Sequence, residues 1–131
     1  MELGLIGTGE TGYNLALNLR EQGYQVVAYD INPASTKGLE ERGITVVKEI
    51  SEVAGRLSGK KVILLMVPAG QPIDDVISEI MPWLVVGDMI IDGRNSSCKD
   101  PIRRYESLLR RGIHFLDCGT RGGLSKVLQA I

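Results

Sequence analysis

Short apolar runs alternate with amphipathic stretches along the chain, so the hydrophobic pattern switches repeatedly between the periods of strand and helix. Leu3 to Ile6 reads as a first strand, and Thr11 to Gln22 as a helix with Leu15, Ala16 and Leu19 on one face, stopped by Gly23. Gln25 to Tyr29 is a second strand. Asn32 as cap and Pro33 at the first helical position open a short helix toward Arg42, with Gly43 after it and a short third strand from Ile44 to Val47. Ser51 begins another helix. Lys61 to Met66, with Val62-Ile63-Leu64-Leu65 at its centre, has the continuous apolar character of a strand buried on both faces. Asp74 to Met81 is helical, Met89 to Asp92 a fifth strand, Lys99 to Arg111 a basic amphipathic helix ended by Gly112, and Ile113 to Asp117 a sixth strand.

Strands separated by helices predict a parallel α/β sheet covered on both faces, with right-handed crossovers and ligands outside the carboxyl ends of the strands. The polar segments fall there: Gly7 to Gly12 after strand one, Asp30 at the end of strand two, Met66 to Gly70 after strand four, Asp92 to Ser96 after strand five and Asp117 to Gly123 after strand six.

Composition narrows the class. The 131 residues are 44% hydrophobic and 24% charged, enough for one domain with its own core. Fifteen basic and sixteen acidic residues leave a net charge of −1, which gives no broad attraction for nucleic acid or anionic lipid. Asp100 and Glu106 interrupt the basic helix, which reads as a solvated face. Cys98 and Cys118 form no C-x-x-C pair, and no apolar run is long enough to span a membrane, so a cytoplasmic protein with reduced thiols is expected.

The glycine segment carries the chemistry. Gly7-Thr8-Gly9-Glu10-Thr11-Gly12 follows a strand and opens a helix, the context of a dinucleotide-binding fingerprint. Gly7 makes the tight turn, Gly9 admits a pyrophosphate to the backbone, and Gly12 lets helix and strand pack closely, while the helix N-terminus favours the anion. The pattern predicts a Rossmann-type doubly wound sheet with strand order 3-2-1-4-5-6. Asp30 can accept from the adenosine ribose hydroxyls and would repel a 2′-phosphate, so NAD is favoured over NADP. The alternative is that Asp30 serves as a turn or capping acid before Asn32-Pro33.

Four stretches, Leu3-Gly4-Leu5-Ile6-Gly7, Tyr13-Asn14-Leu15-Ala16-Leu17-Asn18-Leu19, Met66-Val67-Pro68-Ala69-Gly70 and Ile91-Asp92-Gly93-Arg94-Asn95-Ser96, resemble the decarboxylating 6-phosphogluconate dehydrogenases. The resemblance spans 1–123 and leaves 124–131 as a departing tail. It implies oxidation of 6-phosphogluconate at C3 and decarboxylation to ribulose 5-phosphate. It implies cofactor contacts at Gly7, Thr8, Gly9, Glu10, Thr11, Gly12, Asp30, Ile31, Asn32, Val67, Pro68, Ala69 and Asn95, and substrate contacts at Asn95, Arg121, Gly122 and Gly123. NADP-using relatives have an arginine after the strand-two polar residue; here the segment reads Asp30-Ile31-Asn32.

The chain departs from the family pattern at Arg94 and Arg121, which stand where small residues are usual, and at Cys98 in place of an aromatic. The arginines could grip a carboxylate or phosphate, or close the pocket. The family's lysine base, acid and most phosphate ligands come from a helical domain that 124–131 does not match, so no catalytic residue is assigned in this chain. His114 inside strand six, Lys126 and Glu10 have no partner at suitable spacing. Isolated, the chain is expected to bind cofactor without turnover, as a monomer or a dimer. Two alternatives remain: a non-catalytic NAD-binding or sensor protein, and a dehydrogenase of another 2- or 3-hydroxyacid.

Overall fold

The computed structural model describes residues 2–67, 71–93 and 106–117. Their strands are β1 (Glu2–Ile6), β2 (Gln25–Tyr29), β3 (Thr45–Val46), β4 (Val62–Leu65), β5 (Met89–Asp92) and β6 (His114–Asp117). All pair in parallel in the order β3-β2-β1-β4-β5-β6, the doubly wound arrangement that the alternating pattern predicts. The helices are α1 (Gly9–Glu21), α2 (Ile50–Arg56) and α3 (Gln71–Ile80), and residues 106–109 are also helical.

Both faces of the sheet are covered, and strand alternation sorts the core into two layers. Leu3, Leu5, Val62, Leu64 and Ile91 meet Ala16 and Leu19 of α1, while Ile6, Ile63, Leu65 and Ile90 meet Val53 of α2 and Ile73, Ile77 and Ile80 of α3. This explains the unbroken apolar runs of the central strands: residues of either parity are buried. Gly4 also has a packing task, because a Cβ there would stand 2.6 Å from Val53 Cγ1. It admits α2 onto β1.

Several boundaries differ from the periodicity. The helix expected between Asn32 and Arg42 is two 3-10 turns, Pro33–Thr36 and Glu40–Arg42, because Lys37 is extended at φ −60° and ψ 129°. Asn32 still caps the first, its Oδ1 accepting from Ala34 N at 3.1 Å. β3 is only Thr45–Val46, and α1 starts at Gly9 rather than Thr11. α2 starts at Ile50, one position before the expected Ser51, because Glu49 and Glu52 form a capping box that puts the cap at Glu49. α3 starts earlier than Asp74, and Met81 belongs to the 3-10 turn Met81–Trp83. Of the helix expected over Lys99 to Arg111, only its end lies within the described residues.

The end of the sheet opposite the glycine segment has its own fastening. Asp88, 1% exposed, accepts from Val85 N at 2.7 Å and Lys61 N at 3.0 Å, with Lys61 Nζ at 3.6 Å. One carboxylate thus joins the entries to β4 and β5.

Candidate dinucleotide site

The strand order reverses at β1, whose neighbours are β2 and β4, so the segments leaving β1 and β4 diverge and open a crevice. β1 ends at Ile6 and α1 begins at Gly9, leaving only Gly7 and Thr8 to turn the chain. Gly7 lies at φ 86°, where a Cβ would stand 2.8 Å from Val67 Cγ1 and 3.0 Å from the Met66 carbonyl. Gly9 lies at φ 52° with no atom within 4 Å of the place a Cβ would occupy. Backbone at Gly9 therefore borders open space, a cradle that a side chain would fill. At Gly12 a Cβ would stand 2.6 Å from Gly7 O, so this glycine serves the helix-to-loop contact.

The first helical bond of α1 runs from Gly12 N to Thr8 O at 2.7 Å, so the amides of Gly9, Glu10 and Thr11 have no intrahelical acceptor. Thr8 occupies the cap position without capping. Its amide donates to Asp30 Oδ2 at 2.7 Å, and its hydroxyl lies 3.0 Å from the same oxygen and 3.1 Å from Ser35 O. One hydroxyl proton serves one of these acceptors at a time. With Thr8 turned to Asp30, the end of α1 keeps amides directed at the crevice, where the helix dipole favours an anion.

Asp30 has more than one role. Besides Thr8, its Oδ1 accepts from Asn32 N at 2.8 Å, so the acid shapes the turn as well as facing the crevice. A carboxylate has about four lone-pair sites. Three donors occupy it here, and the remaining acceptor position lies on Oδ1.

A cleft of about 880 Å³ is lined by Gly7, Thr8, Gly9, Glu10, Thr11, Gly12, Asp30, Ile31 and Val67, joining these expected site residues in one place. Asn32 does not line it and acts as the cap of the following turn. Pro68, Ala69, Asn95, Arg121, Gly122 and Gly123 lie outside the described residues, as do Arg94, Cys98, Cys118 and Lys126. His114 pairs with Met89 at the opposite end of the sheet, away from the cleft. Among the described residues no group of three or more His, Cys, Asp or Glu could hold a metal, and no helix is long and apolar enough to cross a membrane.

The far wall was not foreseen. Tyr29, Asp75, Val76 and Glu79 also line the cleft, the last three from α3. Asp75 and Glu79 are four residues apart on one helix face, while Ile73, Ile77 and Ile80 form the buried face; that spacing was the available signal. Glu10, Asp30, Asp75 and Glu79 all border the cleft, and no Lys or Arg does so among the described residues. Burial foremost, then Glu79, Glu49 and Asp30, pushes the Tyr29 hydroxyl above its ordinary pKa, so it stays protonated at neutral pH. Beyond Tyr29, Asp30 and Ile31 the surface continues into a groove of about 830 Å³ past Lys37 and Lys48.

Residues 2–130 match the family model of the NAD binding domain of 6-phosphogluconate dehydrogenase. The decarboxylating 6-phosphogluconate dehydrogenase of Candida albicans is 40% identical over 127 residues, 93% of this chain and 25% of its own length. The NAD(+)-dependent decarboxylating enzyme of Bacillus subtilis is 37% identical over 125 residues, covering 92% of this chain and 27% of that protein. The structure of Plasmodium falciparum 6-phosphogluconate dehydrogenase superposes with a TM-score of 0.84 at 27% identity, over 91% of this chain and 27% of that one. The chain spans 25% to 41% of the length of the first relatives it matches. With the glycine loop at the switch point, the free helix amides and the acid of β2 all in place, the chain belongs to the family of pyridine-nucleotide-binding domains of 6-phosphogluconate dehydrogenase.

Proposed function

We propose that this chain is the cofactor domain of a cytoplasmic oxidoreductase that oxidises 6-phosphogluconate at C3 and decarboxylates it to ribulose 5-phosphate, with NAD preferred to NADP. The observation that carries the reading is Asp30, clasped by Thr8 at the mouth of the glycine loop with one acceptor position left on Oδ1. NAD, when bound, supplies the hydride acceptor. The amides of Gly9, Glu10 and Thr11 hold its pyrophosphate, and Asp30 Oδ1 accepts from an adenosine ribose hydroxyl. By the family resemblance, Val67, Pro68 and Ala69 would serve the nicotinamide, Asn95 both cofactor and substrate, and Arg121, Gly122 and Gly123 the sugar acid. None of the described cleft residues is assigned the role of base or acid, and the isolated chain is proposed to hold cofactor without turnover.

Calorimetric titration with NAD tests this. Saturable binding at one site, weakened at least about tenfold in Gly9→Ala by the Cβ placed in the cradle, is expected. Absence of NAD binding, or decarboxylation of 6-phosphogluconate by the isolated chain, would overturn it.

A further inference from the structure

The wall that α3 contributes to the cleft has chemistry that the glycine loop and Asp30 do not use. With the pyrophosphate at the loop and a ribose hydroxyl at Asp30, the base of a dinucleotide would extend into the part of the cleft lined by Ile31 and α3. Ile31 is 88% exposed at the rim of the cleft, so its side chain is open to a ligand there. Val76 lines the same cleft from α3, so two aliphatic side chains are available to the faces of a planar ring. The polar groups of that wall are Tyr29, Asp75 and Glu79, the last one turn further along α3 than Asp75. Asp75 is engaged in another interaction, whereas no hydrogen bond or ion pair holds Glu79 among the described residues.

We propose that Glu79 selects the base of the bound dinucleotide by accepting a hydrogen bond from the exocyclic amino group of adenine. The inference rests on the dinucleotide reading of the cleft. An ionised carboxylate only accepts, so it matches an amino group and opposes a carbonyl oxygen at the same ring position. A hypoxanthine base sets its carbonyl against that acceptor and offers only its N1–H, one ring position away, so it binds less well where the carboxylate is positioned for the amino group. Ile31 and Val76 supply contact area that any purine can use; Glu79 supplies the choice.

The test compares NAD with nicotinamide hypoxanthine dinucleotide by calorimetry on the whole chain, for the native protein, Glu79→Ala and Glu79→Gln. The native protein is expected to bind NAD about tenfold more tightly, and Glu79→Ala to reduce that ratio to about twofold or less. Glu79→Gln, whose amide oxygen can still accept, should keep an intermediate ratio. Glu79 is exposed, so these variants should unfold at the native temperature, and the ratio of two ligands on one variant is insensitive to a general loss of affinity. Equal binding of the two dinucleotides by the native protein, or an unchanged ratio in Glu79→Ala, overturns the role of Glu79 and leaves NAD binding intact. Failure to bind either dinucleotide overturns the reading of the cleft itself.

Discussion

Thr8 and Asp30 are joined twice at one oxygen, the Thr8 amide at 2.7 Å and its hydroxyl at 3.0 Å from Asp30 Oδ2. The bond links the glycine loop after β1 to the end of β2. It also removes Thr8 from capping α1, which leaves the helix amides to a ligand. Loop shape and the ribose contact proposed for Asp30 are therefore coupled through one acid.

Asp30→Ala should lower both stability and affinity. It removes the acceptor of the Thr8 amide, the Thr8 hydroxyl and the Asn32 amide, and a loss of about 1–3 kcal/mol in urea unfolding is expected. Thr8→Val removes the hydroxyl alone and should cost about 1 kcal/mol. A double-mutant cycle checks the coupling: the two losses should be less than additive, because the same bond is lost in each.

Gly9→Ala and Gly12→Ala should separate binding from folding. At Gly9 the Cβ enters open space at φ 52°, so stability should fall by only about 1–2 kcal/mol while NAD affinity falls sharply. At Gly12 the Cβ meets a backbone oxygen at 2.6 Å, and the helix must shift at a cost of about 1–3 kcal/mol in unfolding experiments.

The reverse separation is expected at Asp88. Asp88→Ala strands two amides and the Lys61 ammonium at the end of the sheet away from the cleft, and should cost about 2–4 kcal/mol by denaturant unfolding. NAD affinity of the folded variant, measured by calorimetry, should be unchanged.

Tyr29 should titrate late. Burial and its acidic neighbours favour the neutral phenol, so the ultraviolet absorbance difference between the native protein and Tyr29→Phe should show Tyr29 ionising above the ordinary tyrosine value, and Glu79→Ala should lower that ionisation. A raised folded-state pKa contributes stability that is complete below the ordinary tyrosine value of about 10 and is lost as pH rises through the raised value. No change from this group is expected near neutrality.

The strand order and the loop were legible because their determinants are local. Val62-Ile63-Leu64-Leu65 reads as a doubly buried strand in any context, and the spacing of Gly7, Gly9 and Gly12 encodes a turn, an approach and a packing contact within six residues. Lys37 was less legible: nothing in Pro33 to Arg42 except Gly38 marks the break between the two 3-10 turns. Asp30 was foreseen as either a ribose acceptor or a turn acid, and its geometry shows the turn role while leaving Oδ1 room for the other. Tyr29 and Glu79 were missed because they are fifty residues apart in sequence and come to one cleft only when α3 packs against the sheet. A cleft wall assembled by tertiary packing leaves no local motif.

The most direct measurement is a pair of calorimetric titrations of this chain, with NAD and with NADP, at low and high ionic strength. Asp30 and Glu79 set like charge against a 2′-phosphate and no Lys or Arg lines the cleft itself among the described residues, although Lys37 and Lys48 line the adjoining groove. NAD should bind at least about tenfold more tightly at low salt, and the preference should narrow as salt screens the carboxylates. Tighter binding of NADP, or a preference that widens with salt, would contradict the role assigned to Asp30.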